Sequence, residues 1–266
     1  MAEITLYHND MSVCSAKVRM AFAEKGVEWT GVHLDLRAGD TQKPAYAVLN
    51  PHQLVPTLVH DGKVLTESNI ICEYIDDAWP APPLRPGGAY DRARMRLWMK
   101  LLDDWVHGAA GTISLCIAFR HQFLRRGPAE IAAYAGRLID PMRRERLKQA
   151  LDLGMDAPAF APAVRRLARL IADLDTALAE NPWLAGADFS LADLAYAPYM
   201  IRLYQIGFAE DIDARPRLAA WAHRIFDRPS YKAGVAHWLN PGAVEIIREH
   251  HDAARTRIHA ILASDK

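Results

Sequence analysis

The stretch that decides the fold is residues 4–34, which read ITLYHNDMSVCSAKVRMAFAEKGVEWTGVHL. Ile4–Tyr7 is a short run with high β-propensity, and the turn-prone residues His8–Asp10 end it. Apolar side chains then recur at every third or fourth position, which predicts a helix over Ser15–Lys25 with Gly26 as its left-handed cap. Val27–Leu34 is again typical of a strand. The stretch therefore predicts a β-α-β unit.

The residues that follow extend this unit by a hairpin and a helix. Thr57–His60 and Lys63–Leu65 flank the dipeptide Asp61-Gly62, which is the strongest short-range signal for a type I′ hairpin. Ser68–Asp77 has the pattern of a closing helix. The predicted order of elements is β-α-β-(α)-β-β-α, where the helix in parentheses precedes the hairpin.

Charge and composition both change near residue 80. Residues 1–80 hold six Lys and Arg against eleven Asp and Glu, a net charge of −5, so the remainder carries +5. Beyond Tyr90 nearly every segment has helical periodicity. We therefore expect a first domain over residues 1–80, a linker over 81–89 and an all-helical domain over 90–266. The prolines and glycines that mark the boundary are Pro80, Pro82, Pro83, Pro86, Gly87 and Gly88.

The overall composition excludes several classes of protein. There are 32 Lys and Arg against 32 Asp and Glu, so we expect no nucleic acid partner, because general nucleic-acid binders are strongly basic. The three cysteines, Cys14, Cys72 and Cys116, match neither a disulfide framework nor a zinc site, so we expect no metal and a reducing compartment. No signal peptide pattern is visible, and the least polar stretch, Trp105–Phe119, is shorter than a membrane span. A cytoplasmic protein without a membrane partner is predicted.

The most informative local motif is Ser12-Val13-Cys14-Ser15, at the junction of the first strand and the first helix. A helix start presents unpaired N–H groups and a partial positive charge, which stabilise the thiolate of a protein or of a ligand. Ser12 and Ser15 add hydroxyl groups. The motif is also compatible with two capping serines and a packed cysteine, so both interpretations stay open.

A second motif leads directly into the hairpin. Pro56 precedes the strand, has no N–H to donate, and leaves the backbone of Val55 able to pair with an external group. Glu67 and Ser68 begin the next helix, where a carboxylate, a hydroxyl and unpaired amides could hold both charged groups of an α-amino acid. Simple capping of the helix is the alternative for this pair.

Taken in order, these motifs make the chain resemble a glutathione transferase. That family has a thioredoxin-like α/β amino-terminal domain followed by an all-α helical domain. The resemblance covers residues 3–80 in motif and 90–238 in layout, and Phe189–Asp193 resembles a helix start in the second domain, with Ser190 and Asp193 as a capping box. The residues that carry the resemblance in the first domain are Met11–Ser15 with Lys17–Arg19, Asn50-Pro51 with Val55–Leu58, and Thr66–Ser68 with Ile71–Tyr74.

The resemblance implies roles for the residues at the start of the first helix. Ser12 matches the hydroxyl that activates glutathione in the serine-type and zeta-like classes. Cys14 matches a cysteine that can form a mixed disulfide with glutathione in zeta-like isomerases and reductive dehalogenases. Ser15 matches a serine of β-etherase-like members. Tyr7 lies where another branch keeps a catalytic tyrosine, and with Ser12 present we interpret it as a core residue or as a neighbour of the site without a catalytic role.

The resemblance also implies how glutathione, the cosubstrate, would bind. Its cysteinyl backbone would pair with Val55 in front of a cis Pro56, as an added strand does. Its γ-glutamyl end would be held by Glu67 and Ser68. Gln53 lies where some relatives have a basic residue near the glycyl carboxylate. The helical domain would contribute to the electrophile pocket, for which Met11, Trp105 and His107 are the candidates.

The function implied is an enzyme that attacks a small hydrophobic electrophile with the glutathione thiolate, by conjugation, ether cleavage, dehalogenation or isomerisation. The alternatives are a glutathione thiol oxidoreductase that depends on Cys14, and a carrier that binds glutathione or a hydrophobic ligand without turnover. The long segment Gly127–Pro162 favours a β-etherase-like subclass, whereas Met11–Ser15 favours a dehalogenase- or zeta-like one. A homodimer is expected, in which the −5 part of one subunit meets the +5 part of the other.

Overall fold

The computed structural model describes residues 3–264, and it contains the predicted β-α-β unit. The unit consists of β1 (Ile4–His8), α1 (Val13–Lys25) and β2 (Thr30–His33). Helix α1 begins two residues earlier than predicted because Ser12 caps it, its Oγ accepting a hydrogen bond from the amide of Ser15 at 3.2 Å. Strand β2 is shorter than predicted, since only its second half pairs with β1.

The predicted hairpin and closing helix are also present. At the turn Asp61 and Gly62 have φ angles of +48° and +76°, and a type I′ turn requires positive φ at both positions. The short helix that precedes the hairpin confirms the predicted order of elements. This part of the chain contains α2 (Pro44–Leu49), β3 (Thr57–His60), β4 (Lys63–Leu65) and α3 (Ser68–Ala78).

The four strands form one mixed sheet in the order β2-β1-β3-β4. β1 is parallel to β2 and antiparallel to β3, which in turn is antiparallel to β4. Leu6 of β1 lies opposite Leu58 of β3, and both are fully buried. This mixed sheet with its helices is the thioredoxin-like fold that the resemblance implied, so the predicted α/β fold class is confirmed.

The rest of the chain is mainly helical, as predicted. The segments Leu102–Val106 and Leu115–Phe119 form π-helical turns. The helices are α4 (Ala89–Leu101), α5 (His107–Ser114), α6 (Arg120–Leu124), α7 (Pro128–Gly136), α8 (Pro141–Leu153), α9 (Phe160–Ala177), α10 (Leu191–Leu203), α11 (Ala209–Asp213), α12 (Pro216–Phe226), α13 (Pro229–Gly234), α14 (Pro241–Glu249) and α15 (His251–Ala263).

The chain forms two compact units, each built from several segments. The first comprises Met1–Lys100, Leu178–Tyr199 and Ala220–Asn240. Within it α13 packs closely on α1: a Cβ added at Gly234 would lie 2.5 Å from the amide nitrogen of Met20, so only glycine fits there. The first unit thus contains the sheet together with parts of the helical region.

The second compact unit is all-helical and comprises Leu101–Ala177, Met200–Ala219 and Pro241–Lys266. Its α9 buries one apolar face at the predicted spacing. The long segment noted in the sequence contributes a small core of its own. No helix within residues 3–264 is long and apolar enough to cross a membrane. The small core comprises Phe123, Tyr134, Leu138 and Leu147.

Candidate active site

Ser12 lies at the amino-terminal end of α1, at the junction where the sequence predicted it. Its side chain is half-buried, and its Oγ accepts the amide of Ser15 at 3.2 Å. Because the oxygen is the acceptor in this bond, the hydroxyl proton is still available for donation to another group. Capping and ligand activation are therefore compatible roles for this one side chain.

The other two residues of the motif have different environments. Cys14 is half-buried, and its Sγ lies 3.8 Å from the hydroxyl oxygen of Tyr199 on α10. Ser15 is fully buried, and its Oγ accepts the amide of Asn9 at 3.3 Å. Ser15 thus fixes the turn before α1, while Ser12 and Cys14 are the partly exposed members of the motif.

Arg19 holds the turn between β1 and α1 from inside the protein. Its side chain is 1% exposed. It donates to the carbonyls of Asn9 at 2.9 Å and Asp10 at 3.1 Å, and to the carbonyl of Gly234 at 2.9 Å. The sequence places this arginine in the motif of the first helix but predicts no role for it, because nothing local indicates which carbonyls it reaches.

His8 is the neighbour of Arg19 in this buried cluster. Burial and the Arg19 charge lower the pKa of His8 to about 4, so the imidazole is neutral at pH 7. Its Nδ1 accepts from the Arg19 guanidinium at 3.3 Å. Burial lowers the pKa of Arg19 to about 9, which leaves the guanidinium charged at neutral pH. At neutral pH the pair therefore consists of the charged Arg19 guanidinium and the neutral His8 imidazole that accepts its hydrogen bond.

In the loop before β3, the backbone groups of Val55 form no hydrogen bond within residues 3–264. The Val55–Pro56 peptide bond is cis, as the resemblance implied. The loop is nevertheless well held, because the Leu54 carbonyl accepts from Asn50 Nδ2 at 2.9 Å and the Gln53 amide donates to the Asn50 carbonyl at 2.9 Å. Val55 is thus presented by a firm loop with its pairing groups unused.

Glu67 and Ser68 lie at the amino-terminal end of α3, as predicted. Glu67 is exposed, has a φ of +67°, and makes no capping hydrogen bond with its side chain. A non-glycine residue at such an angle costs of order 1–3 kcal/mol, and such strain is concentrated at functional sites. The Ser68 side chain is buried, and among residues 3–264 its hydroxyl has no hydrogen-bond partner. Capping therefore does not account for either side chain.

The two helix starts are linked by a buried lysine. Lys17 of α1 is fully buried and donates from Nζ to Asn69 Oδ1 of α3 at 2.8 Å. Asn69 is held in turn by donating to the carbonyl of Met99 at 2.9 Å. This link fixes the position of the Ser12 end relative to the Glu67 end of the candidate site.

The remaining candidates divide between the two compact units. In the first unit Met11 is half-buried, and its amide donates to Asp10 Oδ1 at 2.8 Å. In the second unit Trp105 is half-buried and His107 is exposed. No cluster of three or more metal-ligating side chains occurs in the part of the chain that the structure describes. Tyr7 is half-buried, with its ring 5.7 Å from that of Tyr46.

Two family models match the chain, one in the region of the sheet and one in the helical region that follows it. The model described as "Glutathione S-transferase, N-terminal domain" matches residues 2–77, which include both helix starts. The model described as "Glutathione S-transferase, C-terminal domain" matches residues 130–224. Together they match more than half of the chain.

Individual relatives cover nearly all of the chain at moderate identity. Protein LigF of Sphingobium sp. (strain NBRC 103272 / SYK-6) is 28% identical over 86% of this chain and 91% of its own length. The tetrachloro-p-hydroquinone reductive dehalogenase of Sphingobium chlorophenolicum is also 28% identical, over 87% of this chain and 95% of its own.

The solved structures that this chain resembles include that of LigF, which is also one of its sequence relatives. The crystal structure of the β-etherase LigF from Sphingobium sp. strain SYK-6 aligns with a TM-score of 0.80 at 28% identity, covering 87% of this chain and 98% of that one. The theta class glutathione S-transferase of Xanthomonas axonopodis pv. citri, solved with glutathione bound, aligns with a TM-score of 0.66 at 26% identity. It covers 90% of this chain and 100% of that one.

Proposed function

Because the chain belongs to the glutathione S-transferase family, we propose that the amino-terminal ends of α1 and α3 bind glutathione and activate its thiol. The protein is a glutathione transferase, and glutathione is its cosubstrate. The observation that carries the assignment of the site is the set of unused groups around it: the Val55 backbone, the Ser68 hydroxyl and the strained Glu67.

Each unused group matches one part of the tripeptide. The amide and carbonyl of Val55 pair with the cysteinyl backbone, as an added strand would. The α3 amides and the Ser68 hydroxyl hold the α-carboxylate of the γ-glutamyl end, and the Glu67 carboxylate holds its ammonium group. Gln53, half-buried in the same loop, is the proposed contact of the glycyl end, where a neutral amide replaces a basic side chain.

Activation follows from the electrostatics of the α1 start. A thiol near its ordinary pKa is mostly protonated at neutral pH, and the attacking species is the thiolate. The Ser12 hydroxyl donates to the glutathione sulfur while its oxygen still caps α1, and the amides of the first turn add a partial positive charge. The thiolate then forms a bond to an electrophilic carbon, and the leaving group departs with the electron pair. Ser15 supports this site by fixing Asn9.

We propose a small hydrophobic electrophile as the second substrate. LigF is a β-etherase, and the relative from Sphingobium chlorophenolicum is a reductive dehalogenase. Each of the two is 28% identical to this chain. Equal identity favours neither ether cleavage nor dehalogenation, so the substrate class proposed is an aromatic electrophile with a displaceable group. The division into residues 1–80, 81–89 and 90–266 belongs to the same proposal.

A homodimer and a cytoplasmic location are further parts of the proposal. The first unit exposes large apolar side chains, among them Leu54, at 43% exposure on the firm loop before β3, and Leu97, at 64% on α4. Surfaces of this kind are typical of protein interfaces. The location is supported by Cys14, Cys72 and Cys116, none of which forms a disulfide, as is usual in a reducing compartment.

The test of the site is glutathione binding measured by calorimetry. We expect wild type to bind at millimolar glutathione, and Glu67→Ala to weaken binding at least tenfold while melting at an unchanged or higher temperature, because it removes a ligand contact and no cap. Glu28→Ala, which removes an exposed carboxylate from the same unit, is the control and should bind as wild type does. Absence of heat with folded wild type would refute the assignment, and a large fall in melting temperature for Glu67→Ala would show a structural role instead.

A further inference from the structure

Two side chains without an assigned role lie behind Cys14. The hydroxyl oxygen of Tyr199 is 3.8 Å from Cys14 Sγ, within the range of a hydrogen bond to sulfur. Tyr199 is 1% exposed, so its hydroxyl is shielded from solvent. A thiolate can only accept, so once Cys14 loses its proton the phenol is the donor in this contact.

The second side chain is Lys17, one turn after Cys14 on the same face of α1. It is fully buried, and its Nζ lies 5.8 Å from the centre of the Tyr199 ring, a cation–π distance. Its hydrogen bond goes to a neutral group, Asn69 Oδ1, at 2.8 Å. Among residues 3–264 no carboxylate oxygen lies within 4.0 Å of this ammonium group. A cationic group with no carboxylate in direct contact favours the charged form of an anionic group nearby.

We propose that Tyr199 and Lys17 are positioning residues that favour the thiolate form of Cys14, Tyr199 by donating a hydrogen bond to the sulfur and Lys17 by its charge. The start of α1 contributes in the same direction through its partial positive charge. The site then holds a protein thiolate beside the position proposed for the glutathione sulfur. This gives the protein a nucleophile of its own, in addition to the bound cosubstrate.

The test is the rate at which iodoacetamide alkylates Cys14 as a function of pH, measured by mass spectrometry on the full chain. The reagent needs no glutathione, so the result is independent of the binding experiment above. Cys72, fully buried, and Cys116, whose pKa burial raises to about 11, are internal references in the same digest. Both should stay unmodified near neutral pH while Cys14 reacts.

The variants are Tyr199→Phe and Lys17→Gln, with Tyr196→Phe as the matched control. Tyr196 is another buried phenol of α10, but its hydroxyl donates to the Trp98 carbonyl at 3.1 Å. We expect Tyr199→Phe to move the midpoint of the pH–rate profile upward by about one pH unit and to slow alkylation at pH 7 about tenfold, with the plateau rate unchanged. Lys17→Gln, which keeps a donor for Asn69, should shift the midpoint in the same direction.

The proposal is overturned if the profiles of Tyr199→Phe and Lys17→Gln coincide with that of wild type, or if Tyr196→Phe shifts the midpoint equally. A merely structural role would change the plateau rate through access to Cys14 and would leave the midpoint in place. If Tyr199→Phe does not fold, the profile of Lys17→Gln decides alone.

Discussion

Ser12 and Cys14 lie two residues apart at the start of α1, and their environments predict different effects on conjugation. Ser12→Ala removes the hydroxyl that donates to the glutathione sulfur, so we expect the rate of conjugation to fall by about 10²-fold or more. Cys14→Ser should be mild for the same reaction, because the attacking sulfur belongs to glutathione. The measurement is steady-state conjugation of a chromogenic aromatic electrophile by both variants.

The contrary result would reverse these roles. A stoichiometric glutathione adduct on Cys14 during turnover, together with a large loss of rate in Cys14→Ser, would make the protein thiol the nucleophile. Mass spectrometry of the protein sampled during the reaction detects such an adduct directly.

His8 predicts how stability depends on pH. Its pKa is about 4 in the folded protein, against an ordinary value of 6.5, so between these values the unfolded chain binds more protons. Neutral His8 therefore makes its full contribution to the unfolding free energy above pH 6.5. As the pH falls towards 4 this contribution is lost, and the unfolding free energy decreases by up to about 3 kcal/mol. His8→Gln keeps an acceptor for Arg19 and should flatten the decline in unfolding free energy over this range. His52→Gln, an exposed histidine, should leave the decline as in wild type, and an unchanged decline in His8→Gln would contradict the assignment.

The sequence predicts those residues of the site that are marked by a pattern in neighbouring positions of the chain. Ser12 and Glu67 were found because each begins a helix, and Val55 because it precedes a proline. Arg19, Lys17 and Tyr199 were missed as parts of the site. Their partners, such as Gly234 for Arg19 and Cys14 for Tyr199, lie as many as 215 positions away in the chain, and no periodicity connects them.

At the scale of elements, the start of α10 is the clearest case of a prediction with a stability consequence. Ser190 and Asp193 form the predicted capping box, with the Asp193 carboxylate accepting the Ser190 amide at 3.0 Å. Asp193 also accepts from the Leu184 amide and from Trp221 Nε1, both at 2.9 Å. Burial raises the pKa of Asp193, and these bonds oppose that effect. One carboxylate thus joins α10, α12 and the segment before them.

We expect Asp193→Ala to lower the unfolding free energy by about 3 kcal/mol or more, because four buried donors lose their acceptor: the amides of Leu184 and Ser190, the Ser190 hydroxyl and the Trp221 indole. Ser190→Ala should cost about 1 kcal/mol, the usual loss of an N-cap. Denaturant titration gives both values. Asp173→Ala, which removes an exposed i,i+4 partner of Arg169, is the control and should have little effect. Equal losses for Asp193→Ala and Asp173→Ala would contradict the network.

The elements themselves were largely predictable, and the exceptions have physical causes. The order of elements along the chain followed from the strand-like and helical segments and from the Asp61-Gly62 turn. The π-helical turns at Leu102–Val106 and Leu115–Phe119 were not foreseen, because the residues keep helical character and only their hydrogen-bond pattern changes. The ends of β2 were misjudged, since only Thr30–His33 of the predicted Val27–Leu34 pair with β1.

At the scale of the whole molecule, the proposed homodimer follows from exposed apolar side chains and from the charge distribution. Leu54, Ile70 and Leu97 of the first unit are 43%, 56% and 64% exposed. The Leu54 loop is held by Asn50 and Tyr46, so its side chain is presented at little cost in entropy on association. The charges of −5 over residues 1–80 and +5 over the remainder favour contact between unlike parts of two subunits.

We therefore expect light scattering at micromolar concentration to give twice the mass of the chain, and Leu54→Glu or Leu97→Glu to give the mass of one chain, because burying an unpaired carboxylate opposes association. Met142→Glu is the matched control: it charges an apolar side chain that is 68% exposed in the second unit, and it should stay dimeric. A monomeric wild type would refute the dimer. A dimeric Leu54→Glu together with a monomeric Met142→Glu would place the interface on the helical unit instead, since the added charge disrupts association only where it is buried.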